Sequence, residues 1–294
     1  MEEQVLKTIT KYNLIQSGDK IVLAVSGGPD SIFMLDILNK LKQKIKFEIV
    51  VAHVNHMIRE EANNDEEYVK DFCKKRDIEF YSKRIDVIEY ANNKKIGTEE
   101  AGRKVRYDFF EEILKITNSN KIAIAHNKND KAETIIMNLL RGTGTLGLKG
   151  IEPIRDNKYI RPIIEIDRTY IEKYCEENNL QPRIDKTNFE NIYTRNKIRN
   201  IVIPYIEQEF NPNIIEGISR LSEIATEEDN YLNSVTTDKY EKLLIEEKSE
   251  EIILDLKQFN TQHKVIKKRI IIYTITRLMG SSMRNRKNTY RRHN

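Results

Sequence analysis

The stretch Lys20-Ile21-Val22-Leu23-Ala24-Val25-Ser26-Gly27-Gly28-Pro29-Asp30-Ser31 holds the fold in miniature: an apolar run, two glycines, then a pattern that reads as a helix. An unbroken apolar run from Ile21 to Val25 suits a strand of a parallel sheet covered by helices on both faces. Two glycines let the backbone approach a ligand and take positive φ, and the N–H groups around the turn and the helix start point at an anion. Ser26 and Ser31 add hydroxyl donors. A Walker A loop would end in Gly-Lys-Ser/Thr and a dinucleotide fingerprint would read Gly-x-Gly-x-x-Gly; neither is present here. What remains is a phosphate cradle containing a carboxylate, Asp30, which repels an anion unless Mg²⁺ bridges the two.

Outward from that stretch the alternation continues. Strands are expected over 20–25, 47–53, 80–85 and 121–126, and helices over 31–41, 65–76, 98–116 and 130–141. Four βα units with right-handed crossovers predict an α/β fold with a doubly wound parallel sheet. Ligands of such sheets sit beyond the carboxyl ends of the strands, so the residues after Val25, Ala52 and Ala125 are placed for chemistry. Gly142, Gly144, Gly147 and Gly150 then end the pattern, and a helix cannot continue through them. An extended run closes at Arg161-Pro162, and a helix over 167–178 follows with Asp167 as its expected N-cap. From Tyr193 the chain becomes helical and charged, punctuated by Pro204 and Pro212. The expected domains are 1–212, which holds the sheet and the phosphate cradle, and 213–294, a helical second domain ending in a basic tail.

At 294 residues there is room for one large domain or two modest ones. An apolar fraction of 39% against 33% charged residues excludes a wholly disordered chain. No run of 18 uncharged apolar residues is present to span a bilayer, so no membrane partner is expected. The acidic start Met1-Glu2-Glu3 is unlike a secretory signal, so the expected location is the cytoplasm. Cys73 and Cys175 have neither the number nor the spacing of a disulfide framework or a metal site. The net charge of +4 is uneven: after Met283 come Arg284, Arg286, Lys287, Arg291 and Arg292 with no acid, which leaves 45 bases against 46 acids before them. Nucleic-acid contacts of the body must therefore come from local patches.

A Ser-Gly-Gly-x-Asp-Ser loop after a first strand resembles the pyrophosphate-binding loop of the ATP pyrophosphatase superfamily. Further matches fall at strand ends or on helices facing the cleft. They are His53-Val54-Asn55-His56-Met57-Ile58-Arg59, Glu99-Glu100-Ala101-Gly102-Arg103-Lys104-Val105-Arg106-Tyr107, and Ala125-His126-Asn127-Lys128-Asn129-Asp130-Lys131-Ala132-Glu133-Thr134 with its continuation Asn138-Leu139-Leu140-Arg141-Gly142-Thr143-Gly144. Later come Arg161-Pro162-Ile163-Ile164 and Tyr193-Thr194-Arg195-Asn196-Lys197-Ile198-Arg199-Asn200. In this order the set is similar to the tRNA(Ile)-lysidine synthetase family. The resemblance implies a PP-loop, adenine nucleotide alpha hydrolase-like sheet and a carbon–nitrogen ligase. Such an enzyme would use ATP and Mg²⁺ to attach L-lysine to C2 of the wobble cytidine in a tRNA(Ile) with a CAU anticodon, releasing AMP and pyrophosphate.

The chemistry is coherent: the C2 oxygen of cytosine leaves poorly, and adenylation turns it into AMP. An ε-amine of pKa about 10.4 is neutral in only about one lysine in 2,500 at pH 7, so a nearby carboxylate or imidazole must take its proton. The expected nucleotide contacts are Ser26, Gly27, Gly28, Pro29, Asp30, Ser31, His53 and Arg103, with Asp30 also the Mg²⁺ ligand. Asp30, Arg106, Asp130 and Glu133 are the expected catalytic set. Within it, Asp130 and Glu133 would bind the lysine ammonium or remove its proton, one helical turn apart. Arg103 and Arg106 share a helix face suited to phosphate or to charge on the adenylated intermediate. Arg183, Arg195 and Arg199, beside Tyr193 and Lys197, form the expected tRNA backbone patch. Simpler readings stand beside these: acids stabilising a helix N-terminus, and solvated basic faces.

Two departures from the family pattern fall in one motif, where Asn129 stands for an aspartate and Lys131 for a glutamine. Family members also continue into a small tRNA-recognition domain for which this chain stops too soon. Encoded with AT-rich codons and read one base on, the basic tail spells an amphipathic segment, so a frameshift near Met283 is the expected origin of the tail, with a native tRNA-binding tail as the alternative. A truncated, non-catalytic ATP- or tRNA-binding fragment is the competing function. A tRNA 2-thiocytidine enzyme would need paired cysteines. A homodimer is an assembly open to the chain.

Overall fold

The computed structural model describes residues 1–57, 62–183, 193–248 and 250–279. Ile58 and Arg59 of the second motif, and the basic tail from Arg284 to Arg292, lie outside the described residues. The elements in chain order are α1 (Glu2–Lys11), β1 (Lys20–Ala24), α2 (Pro29–Ile45), β2 (Glu48–Asn55), α3 (Ala62–Lys74), β3 (Glu79–Arg84), α4 (Val87–Lys94), α5 (Thr98–Ile116), β4 (Lys121–Ile124) and α6 (Lys128–Leu140). They continue as α7 (Thr145–Leu148), β5 (Ile154–Arg155), β6 (Tyr159–Ile160), α8 (Arg168–Glu177), α9 (Thr194–Lys197), a π-helical turn (Ile198–Val202), α10 (Ile203–Glu209) and α11 (Ile214–Leu243). Last come β7 (Leu244–Glu247), β8 (Ile252–Leu254), α12 (Leu256–Thr261) and α13 (Lys264–Met279).

The main sheet runs β3-β2-β1-β4-β6-β5, with every neighbouring pair parallel except β5 against β6. Side chains alternate across it with the period of 2 that a pleated strand imposes. Ile21 and Leu23 of β1, with Ile49 and Val51 of β2, enter a core built from α1, α2, α3 and α8. Val22, Val50 and Ile122 enter a second core beneath Phe109, Phe110 and Ile113 of α5. Each fully buried side chain of this size contributes about 1.5–3 kcal/mol, which explains why β1 and β2 read as continuous apolar runs. The strand order reverses at β1, which pairs with β2 on one side and β4 on the other. The loops leaving β1 and β4 therefore part there and open a crevice.

The chain divides into two compact units, Met1–Thr143 with Lys149–Arg220, and Gly144–Leu148 with Leu221–Asn294. Pro212, where the sequence pattern changes, lies in the turn before α11. The second unit packs Tyr240, Leu243, Ile266 and Ile270 together, and Arg269 donates to the buried Asp229 carboxylate at 2.7 Å. It contains an antiparallel hairpin, β7 with β8, as well as helices.

The glycine-rich segment holds one position with no room for a Cβ. Gly150 has φ +62°, and a Cβ there would meet Ile135 Cγ1 at 2.7 Å. Gly150→Ala is expected to lose about 2–4 kcal/mol of unfolding free energy, combining left-handed strain with overpacking. Urea denaturation checks this, and a loss below about 1 kcal/mol would show that the backbone is not held there.

Candidate nucleotide and RNA site

The phosphate loop leaves β1 and opens α2. Gly27 takes φ +95°, Gly28 is the N-cap in extended conformation, and Pro29 occupies the first turn, where no amide is needed. The Ser31 hydroxyl braces the turn from inside. It accepts from the amides of Ser26 at 3.2 Å and Gly27 at 3.1 Å and donates to the Gly28 carbonyl at 2.9 Å. The loop is thus held in shape by its own residues, with the positive end of the α2 dipole facing the crevice.

Asp30 lies in the first turn of α2, where its Oδ1 accepts from Asn127 Nδ2 at 2.8 Å. Burial, with the Asp130 carboxylate adding to it, pushes the Asp30 carboxyl up to about 6. Asn127 is the N-cap of α6: its carbonyl oxygen accepts from the Asp130 amide at 2.9 Å, and Asp130 Oδ2 accepts from the Asn127 amide at 3.0 Å. One fully buried carboxamide therefore joins the N-termini of α2 and α6 across the switch point. Sequence reading passed over Asn127, although an asparagine three residues before an aspartate at a helix start is a capping-box signal. Asn127→Ala is expected to cost about 2 kcal/mol, through the lost cap and the unsatisfied Asp30 oxygen. A thermal melt compared with wild type measures it.

The next cluster joins residues that the sequence places far apart. Glu133 has a side chain only 1% exposed, with Oε1 accepting from Arg199 Nε at 2.6 Å and Oε2 from Arg195 Nε at 2.8 Å. Asp130 Oδ1 accepts from Arg199 Nη2 at 3.1 Å, Arg195 Nη2 at 3.2 Å and Arg168 Nη2 at 3.4 Å. Arg168 also reaches Glu133 Oε1 at 3.4 Å. The four-residue spacing of Arg195 and Arg199 across α9 and the π-helical turn brings both guanidinium groups to the same two acids. Asp130 and Glu133, expected to hold lysine, are thus engaged by three arginines. Two of these are the arginines expected to meet RNA. Arg183, the third of that expected patch, stands elsewhere: its amide donates to the Gly27 carbonyl at 2.9 Å, and its guanidinium lies 5.4 Å from the centre of the Tyr68 ring.

A cavity of about 1330 Å³ is lined by the phosphate loop, His53, Arg103, Arg106, His126, Arg168, Arg183 and Arg199, among others, while Asp130, Glu133 and Arg195 are not among its lining residues. His53 is 2% exposed, and its Nδ1 lies 2.9 Å from the Val25 carbonyl. Nδ1 must carry the proton to make that bond, which leaves Nε2 as a buried acceptor with no partner among the described residues. Burial lowers the His53 pKa, so the ring is neutral. Arg103 lies 4.9 Å from the centre of the Tyr107 ring, one helical turn along α5. Among the described residues no group of three or more His, Cys, Asp or Glu could hold a metal ion by itself. Mg²⁺ needs none, because it keeps several waters and is bound by one or two carboxylates plus substrate phosphates. Asp30 beside the phosphate loop fits that donor set.

A mostly parallel sheet with its crevice at β1, and a lysine-free phosphate loop opening α2, define the class of PP-loop proteins. The PP-loop domain family matches residues 1–206. The tRNA(Ile)-lysidine synthase of Clostridium acetobutylicum is 52% identical over 282 residues, covering 96% of this chain and 61% of that protein. That of Petrotoga mobilis is 44% identical over 223 residues, 76% of this chain and 71% of that protein. The chain belongs to the tRNA(Ile)-lysidine synthase family. It spans 61%, 60% and 58% of the relatives from Clostridium acetobutylicum, Clostridium tetani and Caldanaerobacter subterraneus. Among solved structures, the U34-tRNA thiolase NcsA of Methanococcus maripaludis, described with its [4Fe-4S] cluster, shares the fold. It has a TM-score of 0.60 and 19% identity, over 75% of this chain and 78% of that one. Among the described residues no helix is long and apolar enough to cross a membrane.

Proposed function

We propose that the chain joins L-lysine to C2 of the wobble cytidine in a CAU-anticodon tRNA(Ile), at the expense of ATP. The carrying observation is the self-braced, lysine-free phosphate loop with Asp30 at the switch point of the sheet. In the first step the cytidine O2 attacks the α-phosphorus, and the bond to the β-phosphate breaks to release pyrophosphate. In the second the lysine ε-nitrogen attacks C2, the C2–O bond breaks, AMP leaves and the nitrogen gives its proton to the carboxylate of Asp130 or Glu133. Bound Mg²⁺ would neutralise charge on the phosphates, held by Asp30. The loop 26–31 takes the phosphates, and the neutral His53 offers its Nε2 lone pair to an N–H or O–H of the nucleoside. Arg103 and Arg106 answer phosphate charge from α5.

Asp130 and Glu133 remain the acids assigned to the lysine ammonium, and the arginines around them give that assignment an order. Arg195 and Arg199 are drawn both to these acids and to RNA phosphates. RNA that engages the arginines frees carboxylate oxygens for the incoming amine, with Arg183 adding a contact at the loop. The test is single-turnover reaction of ATP and L-lysine with a CAU-anticodon tRNA(Ile) transcript, with AMP and the modified nucleoside measured by mass spectrometry. Lysidine formed together with AMP is the expected result. Nucleotide binding with no lysidine would overturn the reading in favour of a binding fragment.

A further inference from the structure

Arg161 follows β6 and is 5% exposed. Its Nε–H donates to His126 Nδ1 at 3.1 Å, and its Nη1 donates to the Glu152 carbonyl. A guanidinium has donors only, so His126 Nδ1 must accept and the single proton of the neutral ring sits on Nε2. The other tautomer would set two N–H groups against each other. The imidazolium is opposed as well. Burial and the positive charges of Arg161, Arg195 on α9, and Arg103 and Arg106 on α5 hold the His126 pKa well below its ordinary value. His126 lines the cavity beside the phosphate loop.

We propose that Arg161 is a positioning residue that fixes His126 as a hydrogen-bond donor, its Nε2–H directed at an anionic phosphoryl oxygen of the adenylyl group. Naming that acceptor rests on the proposed function, whereas the tautomer does not. When the C2–O bond breaks and AMP leaves, charge grows on the departing phosphate, and Nε2–H stabilises it without giving up its proton. His126 is then not the base that deprotonates lysine, because its only basic nitrogen is occupied by Arg161.

Two measurements on the full chain test this. In ¹⁵N-histidine NMR of the ligand-free protein, with five histidines in the sequence and His126→Asn for assignment, the His126 ring should show the Nε2–H pattern without titrating between about pH 5.5 and 8. A Nδ1–H pattern, or a midpoint near 6.5, overturns the proposal. In Arg161→Met the ring should show mixed tautomers and a raised midpoint, with kcat about 10–100-fold lower and the KM for ATP nearly unchanged. Arg161→Lys, which keeps a donor, should recover part of the loss. In single-turnover assays His126→Gln, which retains an N–H near the Nε2 position, should stay within about tenfold of wild type, while His126→Ala loses about 10²–10³-fold. Equal losses in the two would overturn the donor role. If wild type makes no lysidine, the acceptor assignment falls with that reading, and the tautomer stands or falls on the NMR spectrum alone.

Discussion

Replacing Glu133 with glutamine is expected to lower the unfolding free energy by about 3 kcal/mol, through the loss of one buried charge. The carboxylate is 1% exposed and accepts from three guanidinium groups. Its neutralisation leaves three positive charges against Asp130, with Asp30 acting on Arg168 and Arg199 from farther off. Breaking a buried ion pair by removing one partner costs about 3–5 kcal/mol; the low end applies because the side chain of Arg195 is 36% exposed and can turn to water. Urea midpoints read the effect, and a loss below about 1 kcal/mol would show that the cluster is loose in solution. Arg195→Gln should cost less, since two arginines still answer the acids. A double-mutant cycle between the two positions should show coupling above about 1 kcal/mol.

The second large effect runs in opposite directions for stability and activity. Asp30→Asn is expected to reduce AMP release by roughly 10²–10³-fold while making the protein more stable by about 2 kcal/mol at neutral pH. Burial and the Asp130 charge raise the Asp30 carboxyl from 3.8 to about 6, so the folded state holds that proton more tightly than the unfolded chain does. The stability this contributes is complete below the unfolded value and is lost as pH rises through the folded one. In metal-free buffer, wild type should therefore lose stability between about pH 4 and 6.5 relative to the asparagine variant, whose neutral amide does not titrate. A variant with wild-type AMP release would remove Asp30 from the chemistry; one that is less stable at every pH would show that the carboxylate is not strained.

The strands and the phosphate loop were legible because their signals are local. Strands expected over 20–25, 47–53, 80–85 and 121–126 correspond to Lys20–Ala24, Glu48–Asn55, Glu79–Arg84 and Lys121–Ile124; burial writes itself as apolar runs in β1, β2 and β4, whereas the edge strand β3 has no buried residue and carries only a short aromatic pair, Phe80 and Tyr81. Asp167 caps α8 as its residue type and position suggested. The charge cluster was not legible in the same way. Arg168 lies 35 residues from Glu133 and Arg199 lies 66, and nothing in the local pattern separates an arginine turned to solvent from one folded back onto a buried acid. Arg161 was visible only as part of a motif; its partner His126 comes from the neighbouring strand's loop, and sequence spacing does not encode that meeting. The β7–β8 hairpin was hidden by its charge, because a short strand with acids on its exposed face resembles the surrounding helices.

The carboxamide of Asn127 uses its oxygen for one helix and its nitrogen for the carboxylate of another. Hydrolysis of that one amide would turn the nitrogen into a third oxygen anion pressed against Asp30 and Asp130. Asn127→Asp makes the same change, removing no chain and adding no bulk, and is expected to weaken nucleotide binding by setting like charges against the phosphate loop.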